Sequence, residues 1–260
     1  MRICSGPPTA RNLGRASDVG EENRTQTAVP GLSLQSRFAL WASAMSQSPF
    51  TILLGGALTL TERLAVQLAG SRFIAADGGM RHARTLGVVP DLWVGDFDST
   101  DEALFSEFAE VPREKYPAEK NATDGEIAVE AALARGATSL IFAGALGGTR
   151  SDHVFLHLLR LAALAEEGLA VFMTSGEEEA WPLRPGSREI DLPKGSLFSV
   201  LGFTELSGLT IEDARYPLDG FQLPFGSSRT ISNVAEGPVR LSLKSGRAVV
   251  LARPYDLSGA

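Results

Sequence analysis

The sequence is poor in the residues that build cysteine-based and histidine-based sites. Its 260 residues include one cysteine, Cys4, and three histidines. A single cysteine excludes an internal disulfide framework and a cysteine-rich zinc site, and it fits a reducing cytoplasm. No run approaches the roughly 18 consecutive apolar residues of a membrane-spanning helix, so we expect no membrane partner.

Positive charge is also scarce, because 24 Lys and Arg residues stand against 31 Asp and Glu residues, for a net charge of -7. An acidic chain disfavours general binding to nucleic acids or anionic membrane surfaces. Any phosphate groups must therefore be bound locally, through a metal ion or a few basic side chains. The sequence has neither the G-x-x-x-x-G-K-[ST] P-loop nor the signature set of protein kinases.

Three regions of the chain differ in pattern. Residues 1–47 show no sustained periodicity, which predicts a disordered leader or a non-native extension. Residues 48–180 alternate strand-like and helical segments, which predicts a mainly parallel sheet flanked by helices. Residues 181–260 carry short runs separated by Gly and Pro, which predicts a smaller all-β domain, a β-sandwich. Its last two runs predict a hairpin that turns at Ser245-Gly246.

Polar segments follow the apolar runs of the α/β region or precede its helices. The carboxyl ends of parallel strands share one edge of a sheet, so we expect these segments to converge on one crevice. They are D-G-G at 77–79, G-D-F-D-S at 95–99, K-N-A-T-D at 120–124, and the stretch 144–153.

Each segment also has a plainer interpretation. Ser99 with Glu102 fits a capping box at a helix start, and so does Thr123 with Glu126. The glycine pairs are typical of turns. His153 by itself is typical of a hydrogen-bonded residue at a helix end.

Taken together, the segments bring five acids to the crevice: Asp77, Asp96, Asp98, Asp124 and Asp152. Two like charges about 4 Å apart repel by about 4 kcal/mol at an effective dielectric constant of about 20. Lys120 and Arg150 offset part of this repulsion, and a divalent cation offsets more. Oxygen-only ligands favour Mg²⁺, which usually keeps positions open for substrate phosphates. The crevice is therefore interpreted as a nucleotide-phosphate site.

The spacing of two of these acids adds a geometric expectation. In an extended segment Asp96 and Asp98 point to the same side, with Phe97 opposite. That arrangement suits two carboxylates on one ion or on adjacent ions.

The motifs, in their order along the chain, resemble those of the thiamine pyrophosphokinases. They are A-A-D-G-G, P-D-L-W-V-G-D-F-D-S, K-N-A-T-D, G-A-L-G-G-T-R-S-D-H and a later S-N, and the resemblance runs from about Ile52 to the C-terminus. It implies an α/β domain that binds ATP, a C-terminal β-sandwich that binds thiamine, and a homodimer. It also implies transfer of the diphosphoryl group of ATP to thiamine, with Mg²⁺, releasing AMP.

The resemblance further implies roles for individual residues. The catalytic group comprises Asp96, Asp98, Asp124, Arg150 and Asp152. Within it the metal ligands are Asp96, Asp98 and Asp124. The nucleotide-binding group comprises Asp77, Gly78, Gly79, Lys120, Thr123, Asp124, Arg150, Asp152 and His153. The thiamine-binding pair is Ser232-Asn233, contributed at the dimer interface.

Two other functions are compatible with the sequence. One is a related Mg²⁺-dependent pyrophosphokinase that acts on another alcohol, such as a hydroxymethyl pterin. The other is a nucleotide-binding module without turnover. The phosphate half of the site looks the same in all three cases, because acceptor specificity lies in the β domain.

Overall fold

The computed structural model describes residues 49–98, 100–117 and 122–259. The predicted leader at 1–47 lies outside the described residues, as do Ser99 and Lys120.

The first half of the described chain alternates strands and helices, as predicted. The strands are β1 (Pro49–Leu53), β2 (Arg72–Ala76), β3 (Leu92–Gly95), β4 (Arg113–Lys115), β5 (Ser139–Ala143) and β6 (Ala170–Thr174). The helices are α1 (Glu62–Leu68), α2 (Arg81–Leu86), α3 (Glu102–Glu107), α4 (Asp124–Ala134) and α5 (Ser151–Glu166). A 3-10 turn, Asp77–Met80, joins β2 to α2.

These six strands form a parallel sheet in the order β6-β5-β1-β2-β3-β4. The chain starts at β1, adds β2, β3 and β4 on one side, and then returns to add β5 and β6 on the other. The strand order therefore reverses between β1 and β5. In open α/β sheets a ligand crevice forms at such a reversal, beyond the carboxyl ends of the strands.

Alternate residues of each strand serve the two faces of the sheet. Phe50 and Ile52 pack with the buried faces of α4 and α5, whereas Leu53 and Trp93 pack in the core that α1, α2 and α3 cover. The predicted fold, a mainly parallel sheet between layers of helices, is confirmed for this half.

The second half is an antiparallel sandwich, also as predicted. Its strands are β7 (Glu179–Leu183), β8 (Gly186–Ile190), β9 (Leu197–Gly202), β10 (Leu206–Ala214), β11 (Leu218–Leu223), β12 (Asn233–Leu243) and β13 (Ala248–Arg253). Strands β7, β13 and β9 continue the large sheet beyond β6, while β8, β12, β10 and β11 form the second layer. The domain boundary that we placed at residue 180 falls inside β7. Strand β7 pairs with β6, so it joins the sandwich to the parallel sheet.

The predicted hairpin at Ser245-Gly246 is wrong. Strand β12 pairs with β8, β9 and β10, whereas β13 pairs with β7 and β9. The loop between them crosses from one layer of the sandwich to the other, and Leu241 and Val250 meet in the core between the layers. Apolar and polar residues alternate along a half-buried strand whether it is hydrogen-bonded to its sequence neighbour or lies in the opposite layer. The alternation alone therefore does not distinguish a hairpin from a crossing between layers.

A buried ion pair joins the two halves. Arg63 of α1 donates through Nε and Nη2 to the carboxylate of Glu179 in β7, and these side chains are 4% and 2% exposed. Gln67 and Trp181 donate to the same carboxylate.

Within the described part of the chain, no helix combines the length and apolar character needed to cross a membrane.

Candidate active site

A cleft of about 460 Å³ opens at the carboxyl edge of the parallel sheet, where the strand order reverses. Its walls come from the ends of β1, β2, β3 and β5 and from the first turns of α4 and α5. The polar segments that we expected to converge therefore contribute to a single cavity.

The wall at the strand reversal is built from backbone. The N–H of Leu54 donates to Ala143 O at 2.8 Å, and the N–H of Gly56 donates to Gly144 O at 2.7 Å. Gly144 has φ of 77°, and a Cβ at this position would collide with the carbonyl of Leu54. Only glycine permits this approach without strain, so the ends of β1 and β5 pack closely together where they line the cleft.

Three of the five predicted acids line the cleft. Asp77 follows β2, Asp96 follows β3, and Asp124 is the first residue of α4. Asp77 adopts φ of 43°, and its backbone carbonyl accepts a hydrogen bond from Trp93 Nε1 at 2.9 Å. These acids come from three separate elements, and the sheet edge brings them together.

Asp98 lies outside the cleft lining and is exposed. The expected extended segment is wrong, because Phe97 has φ of 64° and the Asp98 N–H donates to Asp96 Oδ1 at 3.1 Å. The chain therefore turns here. The turn is held by packing, since the Phe97 ring meets Trp93 edge to face at 5.1 Å and also contacts Phe105.

The two predicted capping boxes have different outcomes. Thr123 caps α4: its Oγ1 accepts from the Glu126 N–H, and Glu126 Oε2 accepts from the Thr123 N–H. Thr123 also lines the cleft, so it is both the helix cap and a residue of the predicted nucleotide-binding segment. The box assigned to Ser99 and Glu102 is wrong, because Asp101 is the N-cap of α3.

Arg150 lines the cleft at the start of α5, and Asp152 holds it. Arg150 Nε donates to Asp152 Oδ1 at 3.0 Å, and Nη2 donates to Oδ2 at 2.8 Å. This bidentate contact with Arg150 holds the pKa of Asp152 well below its usual range. Asp152 is exposed and does not line the cleft, whereas His153 does.

The predicted glycines also separate. Gly78 lines the cleft, but Gly79 is buried behind it, where a Cβ would collide with the carbonyl of Leu53 in β1. Gly79 therefore allows the 3-10 turn to pack closely on β1.

Two titratable residues that line the cleft, His157 and Arg81, were not predicted as site residues from the sequence. Burial, and then the neighbouring His153, lowers the pKa of His157 to about 4, so its ring is uncharged at neutral pH. The available signal was the four-residue spacing from His153, which places both rings on one face of a helix. For Arg81 the signal was its position directly after the D-G-G turn.

The predicted thiamine-binding pair lies away from the cleft lining. Ser232 is exposed with φ of 57°, and its N–H donates to Ser199 Oγ at 3.0 Å. Asn233 is buried, and its side chain pairs with the backbone of Tyr216: Nδ2 donates to the carbonyl, and Oδ1 accepts from the N–H. Within one chain, the structure does not bring this pair to the acids.

The cleft acids fit a magnesium ion in their chemistry. Across residues 49–98, 100–117 and 122–259, no three His, Cys, Asp or Glu side chains already form a metal cluster. The carboxylates of Asp77, Asp96 and Asp124 nevertheless offer oxygen donors in residues that line the same cavity. Mg²⁺ typically uses one or two protein carboxylates and completes its shell with water and substrate phosphates.

Comparison with known proteins gives a consistent result. The family model "Thiamin pyrophosphokinase, catalytic domain" matches residues 68–173, and "Thiamin pyrophosphokinase, vitamin B1 binding domain" matches residues 187–247. The thiamine pyrophosphokinase of Bacillus subtilis (strain 168) is 27% identical over 165 residues, which cover 62% of this chain and 77% of that protein.

Solved structures share the fold. A thiamine pyrophosphokinase structure from B. subtilis matches with a TM-score of 0.70 and 22% identity, covering 80% of this chain and 100% of that one. The Candida albicans enzyme matches with a TM-score of 0.66 and 14% identity, covering 80% of this chain and 89% of that one. The two family models lie in order on the α/β half and the sandwich and together cover more than half of the sequence, so the chain belongs to the thiamin pyrophosphokinase family.

Proposed function

We propose that this chain transfers the diphosphoryl group of ATP to the hydroxyl of thiamine, giving thiamine diphosphate and AMP. One observation carries the proposal: the cleft residues Asp77, Asp96, Asp124 and Arg150 all fall within the range that matches the catalytic-domain model. The match of the vitamin B1 binding model to the sandwich favours thiamine over a pterin alcohol as acceptor.

In this proposal the triphosphate of ATP lies along the glycine-lined end of the sheet, between the ends of β1 and β5. Asp96, Asp98 and Asp124 would hold Mg²⁺, with Asp77 shaping the acidic wall beside them. When bound, the ion would supply neutralisation of the negative charge on the phosphates. Asp98 lies outside the cleft lining, but its N–H donates to Asp96 Oδ1 in the same turn. In this proposal its carboxylate would reach the ion from that position.

The reaction joins the thiamine oxygen to the β-phosphorus of ATP and breaks the bond from that phosphorus to the oxygen that leaves with AMP. Such transfers ask the protein mainly for positioning and charge neutralisation. Arg150 contributes positioning, because Asp152 holds its guanidinium through Nε and Nη2, and the Nη1 donors are left for a phosphate oxygen. Lys120 provides a second cation, and Gly78, Gly79, Thr123 and His153 complete the nucleotide-binding group.

The position of the sandwich supports a homodimer. Every described residue that lines the cleft lies between Leu54 and His157, so none of the described sandwich residues of the same chain contributes to it. A second copy supplies the acceptor contacts in this proposal, with Ser232 reaching thiamine directly. Asn233 acts through the Tyr216 backbone that it holds.

Subunit mixing tests this arrangement. Asp124→Asn disables the cleft, and Ser232→Tyr blocks the sandwich contact. If the site is shared, each mixed dimer regains one intact site, and random exchange restores about a quarter of the wild-type activity. If the site lies within one chain, the mixture stays as inactive as its parts.

Turnover tests the function itself. The protein is incubated with ATP, Mg²⁺ and either thiamine or a hydroxymethyl pterin, and AMP and the diphosphate product are quantified together. We expect equal amounts of AMP and thiamine diphosphate, and no product from the pterin. ATP binding without AMP formation on either acceptor would instead support a module without turnover.

A further inference from the structure

Arg81 lies at the mouth of the cleft and bridges two strand ends. Its Nη1 donates to Gly78 O at 3.0 Å, and its Nη2 donates to Gly56 O at 3.1 Å and to Gly55 O. Gly55 and Gly56 follow β1, and Gly78 lies in the turn that follows β2. The guanidinium is therefore held between the two neighbouring strand ends that form one wall of the cleft.

Among the described residues, no carboxylate offsets the charge of Arg81. Among the residues that the structure describes, no Asp or Glu oxygen lies within 4.0 Å of its guanidinium nitrogens, and carbonyl oxygens carry no formal charge. Arg150, the other arginine that lines the cleft, is ion-paired with Asp152. Of the two, Arg81 thus has the charge that remains available to a ligand.

Its donors also remain available. A guanidinium carries five N–H donors and no acceptor. Three of them bind the carbonyls of Gly55, Gly56 and Gly78, which leaves the Nε–H and one Nη1–H. Because Arg81 is exposed and lines the cleft, these donors can reach a ligand without leaving their anchors.

We propose that Arg81 is a polyphosphate-binding residue, anchored by backbone carbonyls and aimed at an anion in the cleft. The inference rests on the proposed function for the identity of that anion, the triphosphate of ATP. Anchoring reduces the side-chain entropy that a free arginine loses on binding, so the contact is preorganised. Arg81 would hold the phosphates beside the ends of β1 and β2, in the same cleft that Arg150 lines.

The test compares two arginines of the same helix. Arg81→Gln removes the charge but keeps an amide that can still donate to a carbonyl. Arg84→Gln is the matched control, since Arg84 is exposed one turn further on, pairs with Glu107, and does not line the cleft. Binding of ATP, inorganic tripolyphosphate and adenosine to the full chain is measured by calorimetry at two salt concentrations.

Loss of a hydrogen-bonded charge contact predicts that Arg81→Gln weakens ATP and tripolyphosphate binding about 10- to 100-fold. Adenosine binding should stay unchanged, and the salt dependence of ATP binding should decrease because one screened charge is lost. Arg84→Gln should bind all three as the wild type does. Arg81→Lys, which keeps a charge but loses the planar fork, should fall between the wild type and Arg81→Gln.

A purely structural role for Arg81 gives a different result. If Arg81 only braces the strand ends, Arg81→Gln changes adenosine and ATP binding by the same factor and leaves the salt dependence intact. That result, or tripolyphosphate binding equal to the wild type, overturns the proposal. Tripolyphosphate binding needs no acceptor, so the proposal can fail or hold separately from thiamine turnover in the wild-type protein.

Discussion

The α/β half and the sandwich share one continuous sheet, yet they use their polar side chains differently. In the α/β half, Asp77, Asp96 and Asp124 line an open cleft, even though Asp96 also accepts a hydrogen bond from the Asp98 N–H. In the sandwich, polar side chains near the strand ends bond back to the chain. Asn233 holds the backbone of Tyr216, and Thr230 donates to Val200 O at 2.6 Å.

The difference follows from strand direction. Parallel strands end at the same edge, so residues far apart in sequence meet there. Antiparallel strands end alternately at both edges, which distributes their polar residues between the two ends. The topology of the first half therefore builds a binding site, whereas in the dimer that we propose the second half contributes to one through a second copy.

The largest expected effect is on the cleft acids. Asp124→Asn should reduce turnover by about 100-fold or more, because charge neutralisation of phosphates contributes several kcal/mol to the barrier. The metal-free protein should be equally or slightly more stable, since one like charge is removed. Steady-state kinetics and thermal melts with and without Mg²⁺ measure both effects.

Substitutions of two other acids, Asp98 and Asp101, test whether the loss of turnover is specific to metal ligands. Asp101→Asn removes a nearby charge and keeps a side chain able to cap α3, so it should leave turnover unchanged. Asp98→Asn should abolish turnover if Asp98 is a metal ligand despite its position outside the cleft lining. Wild-type turnover in Asp98→Asn would leave Asp96 and Asp124 as the ligands.

The next effect concerns the joint between the halves. Glu179→Ala removes the carboxylate that the buried Nε and Nη2 of Arg63 bind, and it should cost about 3–5 kcal/mol of unfolding free energy. Denaturation followed by fluorescence and circular dichroism should remain a single coincident transition. Glu178→Ala is the control, because its exposed pair with Arg253 should contribute no more than about 1 kcal/mol. Two separate transitions in the wild type would show that the halves unfold independently.

A smaller effect is expected in the sandwich. Asn233→Ala leaves the Tyr216 N–H and carbonyl without their partner and should cost about 1–3 kcal/mol of stability. The KM for thiamine should rise while the KM for ATP stays constant. Ser232→Ala should raise the thiamine KM without loss of stability. An altered ATP KM in either variant would place the pair in the nucleotide site instead.

The smallest effect is a pH dependence. Burial, and then Arg81, holds the pKa of His82 below its ordinary value of 6.5. The unfolded chain therefore binds a proton that the folded chain does not. The contribution is fully present above about pH 6.5 and is lost as the pH falls below it. His82→Asn should show a smaller drop in melting temperature between pH 7.5 and 5.5 than the wild type, and an equal drop would contradict this assignment.

The sequence predicted the α/β half well because its signals are local. Apolar runs, glycine turns and the Thr123 cap each depend on a few adjacent residues, and parallel topology then brings the strand ends together. It failed at Phe97, where packing against Trp93 and Phe105 bends a segment that local pattern makes extended. Arg81 was missed because its anchors at Gly55 and Gly56 lie about 25 residues away in sequence.

In the sandwich, apolar and polar residues alternate both along strands that pair in one sheet and along strands that face each other across the core. The crossing between β12 and β13 was therefore predicted as a hairpin. The Asn233 contact to Tyr216 spans two strand ends and has no local signature. Long-range pairing of this kind is set by the complete core, so no short pattern reports it.

The most direct measurement is a crystal structure of the protein with a non-hydrolysable ATP analogue, Mg²⁺ and thiamine. We predict the triphosphate between the ends of β1 and β5, with the ion on Asp96, Asp98 and Asp124 and thiamine near Ser232 of a second copy. A nucleotide bound away from the cleft, or an ion held by other residues, would contradict the account.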